Sequence, residues 1–152
     1  MIISIENRQK LVKVNNRRIR AILAKLMKLM RCENGEIGIV LVDNASISKL
    51  NRYYLKKDSP TNVLSFALSE GSFGDINPSI LGDIVISLER AASDSKSAGV
   101  PLDDELDYLM IHGLLHLLGY EHEGTTDRER KRMVRKEKEL YLQVKGYVLH
   151  ER

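Results

Sequence analysis

The sequence predicts a single α+β domain over residues 1–152, with a mixed sheet of roughly four strands packed with helices. Three observations support this prediction. Short β-rich runs alternate with longer segments of helical periodicity. No repeat or linker divides the chain, and 152 residues with 43% hydrophobic content suit one core. A central, largely buried helix that carries histidines is expected to be the functional element.

Four segments have the composition of strands. They are residues 2–6, Glu36–Val42, Val63–Ala67 and Gly82–Ser87, which are rich in isoleucine, leucine and valine. Residues 69–81 hold two glycines and a proline, and they are expected to form the longest loop of the chain. Loops of this size in a small domain are often functional.

Five segments combine helical periodicity with start and stop signals. Asparagine, serine or threonine precedes three of them as an N-cap, and glycine follows three of them as a stop. The predicted helices run from a cap at Asn15 or Asn16 to about Met30, from about Ser46 to Tyr54, from Leu88 to Gly99, from Pro101 to Gly119, and from a capping box at Thr126 and Glu129 to about Lys145.

The overall composition excludes some classes of protein. No apolar run is long enough for a transmembrane helix, so no membrane partner is expected. The single cysteine, Cys32, cannot form an internal disulfide, and the N-terminus lacks the order of a signal peptide, which together favour the cytoplasm. The net charge of +3 is compatible with a nucleic-acid substrate without requiring one.

Three of the four histidines lie in one short stretch, His112-Gly-Leu-Leu-His116-Leu-Leu-Gly119-Tyr-Glu-His122. Residues four apart share a helix face, so His112 and His116 are expected to point at a common position. Gly119 can end the helix, after which the chain returns His122 to the same position. Three neutral imidazoles suit Zn²⁺, and three protein ligands leave a place for a water nucleophile.

The stretch matches the metzincin protease pattern H-E-x-x-H-x-x-G-x-x-H in its three histidines and its glycine. It differs at the general base, because Gly113 stands where those proteases have glutamate. Glycine cannot accept a proton, so the standard metalloprotease mechanism is not expected.

The sequence more closely resembles the YbeY family, the bacterial rRNA maturation endoribonucleases. His112 to His122 fits the family signature H-G-x-L-H-L-x-G-[YH]-D-H, with Glu121 in place of the usual aspartate. Pro60–Phe66 resembles the family's P-T-[DN]-V-L-S-F, and Leu81–Ile86 resembles L-G-D-I-x-I. Met133 and Glu137 fit the pattern of the last helix, so the resemblance covers about residues 45–145.

The resemblance implies a zinc-dependent endoribonuclease specific for single strands. Its partners would be single-stranded RNA, rRNA and the ribosome, in processing the 3′ end of 16S rRNA and in ribosome quality control. His112, His116 and His122 would bind one zinc ion. One departure is Leu55, where the family usually has arginine. Lys56 and Lys57 follow it and can supply positive charge to a phosphate; the alternative is an exposed loop.

Two carboxylates are weaker candidates for managing protons in catalysis. Glu121 is adjacent to a ligand, and Asp83 lies in a matching motif, where it can instead orient a histidine. Basic and acidic residues interleave in the last helix, which favours a solvated face over an RNA surface. Two alternative functions remain: a metal-dependent peptidase or other hydrolase, and a ribosome-associated protein with a structural zinc.

Overall fold

A mixed sheet of four strands forms the centre of the fold, as the sequence predicted. The computed structural model describes residues 1–55, 63–67, 79–120 and 126–151. In chain order the strands are β1 (Ile2–Asn7), β2 (Glu36–Val42), β3 (Val63–Ala67) and β4 (Ile80–Ser87). Their spatial order is β1-β2-β4-β3, in which β2 is parallel to β1 and β4, and β3 is antiparallel to β4.

Five helices surround the sheet in the described part of the chain, and three begin at the predicted caps. Asn15, Ser87 and Thr126 each accept a hydrogen bond from the backbone N–H three residues later, which satisfies a donor that the first helical turn leaves unpaired. The helices are α1 (Asn16–Leu29), α2 (Asn44–Leu55), α3 (Leu88–Ala98), α4 (Leu102–Leu117) and α5 (Asp127–Lys145).

Several element boundaries differ from the sequence prediction by one or two residues, among them the start of β4 and the end of α4. Strand β4 begins at Ile80 rather than Gly82, because Ile80 pairs with Glu36 across a shift in register. Of the loop predicted over residues 69–81, residues 69–78 lie outside the described residues. Helix α4 ends at Leu117, two residues before Gly119. Gly119 has a φ of 96°, and the N–H of Tyr120 donates to the carbonyl of Leu115, which closes the helix end.

The two faces of the sheet bury different helices. Residues of α1, α4 and α5 form one hydrophobic core with alternate residues of the strands, among them Ile84. On the other face, Ile47 of α2 packs with Leu64 and Val85. Because neighbouring residues of a strand point to opposite faces, Ile84 lies on the α4 side and both of its neighbours, Asp83 and Val85, lie on the α2 side.

Helix α4 lies against the sheet at Gly113. A Cβ atom at this position would lie 2.7 Å from Cγ2 of Ile84, closer than carbon atoms tolerate. Glycine is therefore required for the close packing of α4 on β4. In the described part of the chain, no helix has the length and apolarity that crossing a membrane requires.

Candidate metal centre

His112 and His116 lie one turn apart on α4, with their ring nitrogens turned toward each other. Their Nε2 atoms are 3.1 Å apart, and the two rings meet edge to face with centroids separated by 4.6 Å. The side chain of His112 is only 17% exposed. The predicted convergence of these two imidazoles is thus present in the fold.

Glu137 of α5 holds the other side of the His112 ring. Its Oε2 is 2.6 Å from Nδ1 of His112, and its side chain is 3% exposed. A carboxylate only accepts hydrogen bonds, so the proton of the neutral ring belongs on Nδ1 and the lone pair is on Nε2. A carboxylate that fixes the tautomer of a histidine in this way is typical of metal-ligating histidines.

The pair of histidines fits a tetrahedral zinc ion. Two nitrogens at about 2.05 Å from such an ion lie about 3.3 Å from each other, and the two Nε2 atoms are 3.1 Å apart. The third predicted ligand, His122, lies outside the described residues. Accordingly, no group of three metal-ligating side chains occurs among the residues that the structure describes.

The fold separates Asp83 from the histidines. Asp83 is exposed, and its carboxylate lies beside Gly38 of β2, on the sheet face opposite α4. The expectation that Asp83 orients a histidine is therefore corrected, since Glu137 makes that contact with His112. Glu121, Lys56 and Lys57, the other residues predicted for catalysis or substrate binding, lie outside the described residues.

Sequence reasoning noted Glu137 only as part of a family pattern and missed its contact with His112. A signal was nevertheless present in the spacing. Met133, Glu137, Leu140 and Tyr141 are all buried and recur at helical spacing, so Glu137 is a carboxylate within the apolar stripe of α5. A buried acid needs a partner, and that requirement points to a polar group on the facing helix.

Strand β3 contacts the same turn of α4. The hydroxyl of Ser65 donates to the carbonyl of Gly113 over 3.3 Å, next to the first histidine. One turn earlier, the ring of Tyr108 lies with its centroid 5.8 Å from that of His112. The histidine pair is thus held by contacts from the sheet, from α4 itself and from α5.

Besides the contact between Glu137 and His112, a second polar cross-link joins the N-terminal half of α4 to the C-terminal end of α5. Lys145 donates to Asp107 at 2.6 Å and lies 3.0 Å from Asp104, while Arg18 of α1 donates to Asp107 at 2.7 Å. Burial raises the pKa of Asp107, although Lys145 and Arg18 oppose that shift. Burial acts in the same direction on Asp104, but hydrogen bonds from Tyr147 and Lys145 outweigh it and lower the pKa of Asp104. The cross-link fixes α5, and with it Glu137, against the histidine helix.

A mixed sheet with a buried helix that bears a histidine pair backed by a carboxylate defines the class of the protein, a small α+β protein with a candidate metal centre. Comparison with known proteins specifies the class further. The family model described as Endoribonuclease YbeY matches residues 4–145. The chain therefore belongs to the Endoribonuclease YbeY family, which confirms the resemblance drawn from its motifs.

Individual relatives agree with this assignment. The chain is 48% identical to an Endoribonuclease YbeY of Syntrophus aciditrophicus over 98% of its own length and 93% of the relative's. It is 40% identical to one of Geobacter sulfurreducens over 93% and 94% of the two lengths. The solution structure of TM1509 from Thermotoga maritima superposes with a TM-score of 0.66 at 26% identity, covering 95% of this chain and 90% of that one. The predicted α+β fold is confirmed.

Proposed function

We propose that the protein is a zinc-dependent endoribonuclease that cleaves single-stranded RNA. The observation that carries the proposal is the paired Nε2 atoms of His112 and His116, 3.1 Å apart, with Glu137 holding His112 in the required tautomer. Membership of a family whose relatives are named endoribonucleases supplies the substrate class.

His112, His116 and His122 would hold the zinc ion, with His122 assigned from the sequence motif. The chemistry that zinc supplies when bound is polarisation of a phosphoryl oxygen and activation of water. Glu137 accepts a hydrogen bond from Nδ1–H of His112 and so keeps that ring pointed inward. Gly113 lets α4 lie close on the sheet. Glu121 as a proton carrier, and Lys56 and Lys57 as phosphate ligands, stay predictions from the sequence.

The biological substrate that we propose is the 3′ end of 16S rRNA, with a further part in ribosome quality control and the ribosome as partner. The support is the likeness of the sequence motifs to those of the rRNA maturation enzymes. We propose that the protein acts in the cytoplasm, and cell fractionation tests this. Expression in cells depleted of their own family member should restore the mature 16S 3′ end, and an unchanged pool of precursor would contradict the role.

The enzymatic proposal is tested by metal content and cleavage measured on one preparation. We expect one zinc ion per chain and cleavage of a labelled single-stranded RNA, but not of its duplex. His116→Ala should abolish both the bound zinc and the cleavage. His150→Gln is the matched control, because it removes the one histidine outside the motif and keeps a side-chain N–H that can donate to Glu105, the buried partner of His150 at 3.2 Å. A zinc-loaded, folded protein that leaves RNA intact would refute the proposal.

Two other outcomes would point to the alternative functions. Hydrolysis of casein or a peptide that is lost on chelation would indicate a peptidase. A large fall in melting temperature on chelation, without any RNA cleavage, would indicate a structural zinc, since the binding energy of a structural metal becomes folding energy.

A further inference from the structure

The outer face of α5 carries a row of cations along a groove. Arg128, Lys131 and Arg135 are exposed and follow each other at three- and four-residue spacing, so they share one helix face. With Arg130 and Val134 they line a groove of about 730 Å³. In a helix this row is about 10 Å long, enough to contact more than one phosphate of a strand.

Two acidic residues that flank this row form ion pairs with cations outside it. Asp127 forms its ion pair with Arg130, and Glu139 forms its ion pair with Lys136. Within the described residues, no ion pair is seen for Arg128, Lys131 or Arg135. This row therefore carries three exposed like charges, as expected for a solvated face, and an anion would relieve their mutual repulsion.

The groove lies close to the histidine pair along the same helix. Arg130, Val134 and Glu137 recur at four- and three-residue spacing and so lie on one side of α5. Val134 is one turn, about 5 Å along the axis, from Glu137, whose carboxylate contacts His112. Val134 therefore places one edge of the groove within a turn of the carboxylate that contacts His112, while Arg128, Lys131 and Arg135 lie on the outer face of α5.

We propose that this groove binds the sugar–phosphate backbone of the single-stranded RNA substrate, with Arg128, Lys131 and Arg135 as its phosphate ligands. The proposal rests on the function proposed above. Guanidinium groups contact phosphate oxygens through two parallel hydrogen bonds, and lysine contributes a point charge. Such contacts position a strand without reading its sequence. The groove therefore contributes affinity and orientation, while cleavage takes place at the histidines.

The test compares two triple variants that lose the same charge. One carries Arg128→Ala, Lys131→Ala and Arg135→Ala in the groove. The other carries Arg17→Ala, Lys25→Ala and Lys28→Ala on the exposed face of α1. For each we measure KM and kcat for a labelled single-stranded RNA, and equilibrium binding of that RNA over a series of salt concentrations in a His116→Ala background.

In the groove variant, KM should rise about tenfold, since three exposed contacts of modest energy are lost, and kcat should stay at the wild-type value. The slope of log binding constant against log salt should fall by about 2, because each lost phosphate contact removes about 0.7 for a single strand. The α1 variant should behave as the wild type. The double variant Arg128→Lys and Arg135→Lys keeps both charges, so it should keep the wild-type slope of log binding constant against log salt.

Equal effects of the two triple variants, or an unchanged salt slope in the groove variant, would overturn the groove assignment even if the wild type cleaves RNA. The binding measurement does not depend on cleavage. A wild-type protein that does not cleave RNA would therefore refute the proposed function, while the comparison of salt slopes would still decide whether the groove binds RNA.

Discussion

Asp107 has a buried carboxylate that links α4 to α5 and α1, so its loss should weaken the packing of these helices around the candidate site. Its side chain is fully buried, and it accepts hydrogen bonds from Lys145 at 2.6 Å and from Arg18 at 2.7 Å. The substitution Asp107→Asn keeps the shape but removes the charge, so two cations then face a neutral amide. Removing one partner of a buried ion pair typically costs about 3–5 kcal/mol.

The structure favours the lower end of that range. Arg18 is 25% exposed and also contacts Asp103 at 3.2 Å, while Lys145 keeps its contact with Asp104. We therefore expect Asp107→Asn to lower the free energy of unfolding by about 3 kcal/mol. For a domain of this size, that corresponds to a fall in melting temperature of roughly 6–12 °C.

Urea denaturation and calorimetry on the same samples measure this loss. The control is Glu139→Gln, which removes an exposed partner of Lys136 and should change stability by no more than about 0.5 kcal/mol. If Asp107→Asn costs no more than Glu139→Gln, the cross-link does not hold α4 and α5 together, and the reasoning from its burial is refuted.

Three further predictions concern the same helices. Glu137→Gln should weaken zinc binding about 10- to 100-fold in a chelator competition, because the amide no longer holds His112 as a carboxylate does; unchanged affinity would contradict that role. Gly113→Ala should cost about 1–3 kcal/mol in urea unfolding, since its Cβ would enter a packed core, and a neutral result would show that α4 can shift. Because the pKa of Asp104 is lowered in the folded state, the stability that Asp104 contributes is complete above about pH 3.9, the value of an unfolded aspartate, and is lost as the pH falls through the lower folded value. In Asp104→Asn, unfolding measured between pH 5 and 2 should show a shallower loss, and an unchanged pH profile would count against this assignment.

Much of the fold could be predicted from local signals, because caps and periodicity are properties of neighbouring residues. Ser87 and Thr126 cap their helices as expected. The start of β4 could not be predicted in this way, since Ile80 joins the strand only by pairing with Glu36, more than forty residues earlier. Non-local pairing of this kind leaves no periodic signal in the segment itself.

In the candidate site, too, local features could be predicted from the sequence and contacts between elements could not. The convergence of His112 and His116 follows from the repeat of a single helix, and it could be predicted. The contacts of Asp83 and Glu137 depend on which face of the sheet receives α4 and which helix lies beside it. Both faces of β4 are apolar, with Ile84 on one and Val85 on the other. The sequence alone therefore did not show that Asp83 points away from the histidines.

The packing of Gly113 also bears on the choice between a nuclease and a peptidase. In the metzincin pattern, the residue after the first histidine is the glutamate that serves as general base. Here that position faces Ile84, with room for no more than a hydrogen atom. A glutamate there would point into the core rather than toward the histidines. The placement of α4 on the sheet, and not only the identity of residue 113, thus opposes the protease mechanism. Any proton transfer at this centre must use a group other than residue 113. Glu137, a buried carboxylate at the site, already accepts a hydrogen bond from Nδ1–H of His112.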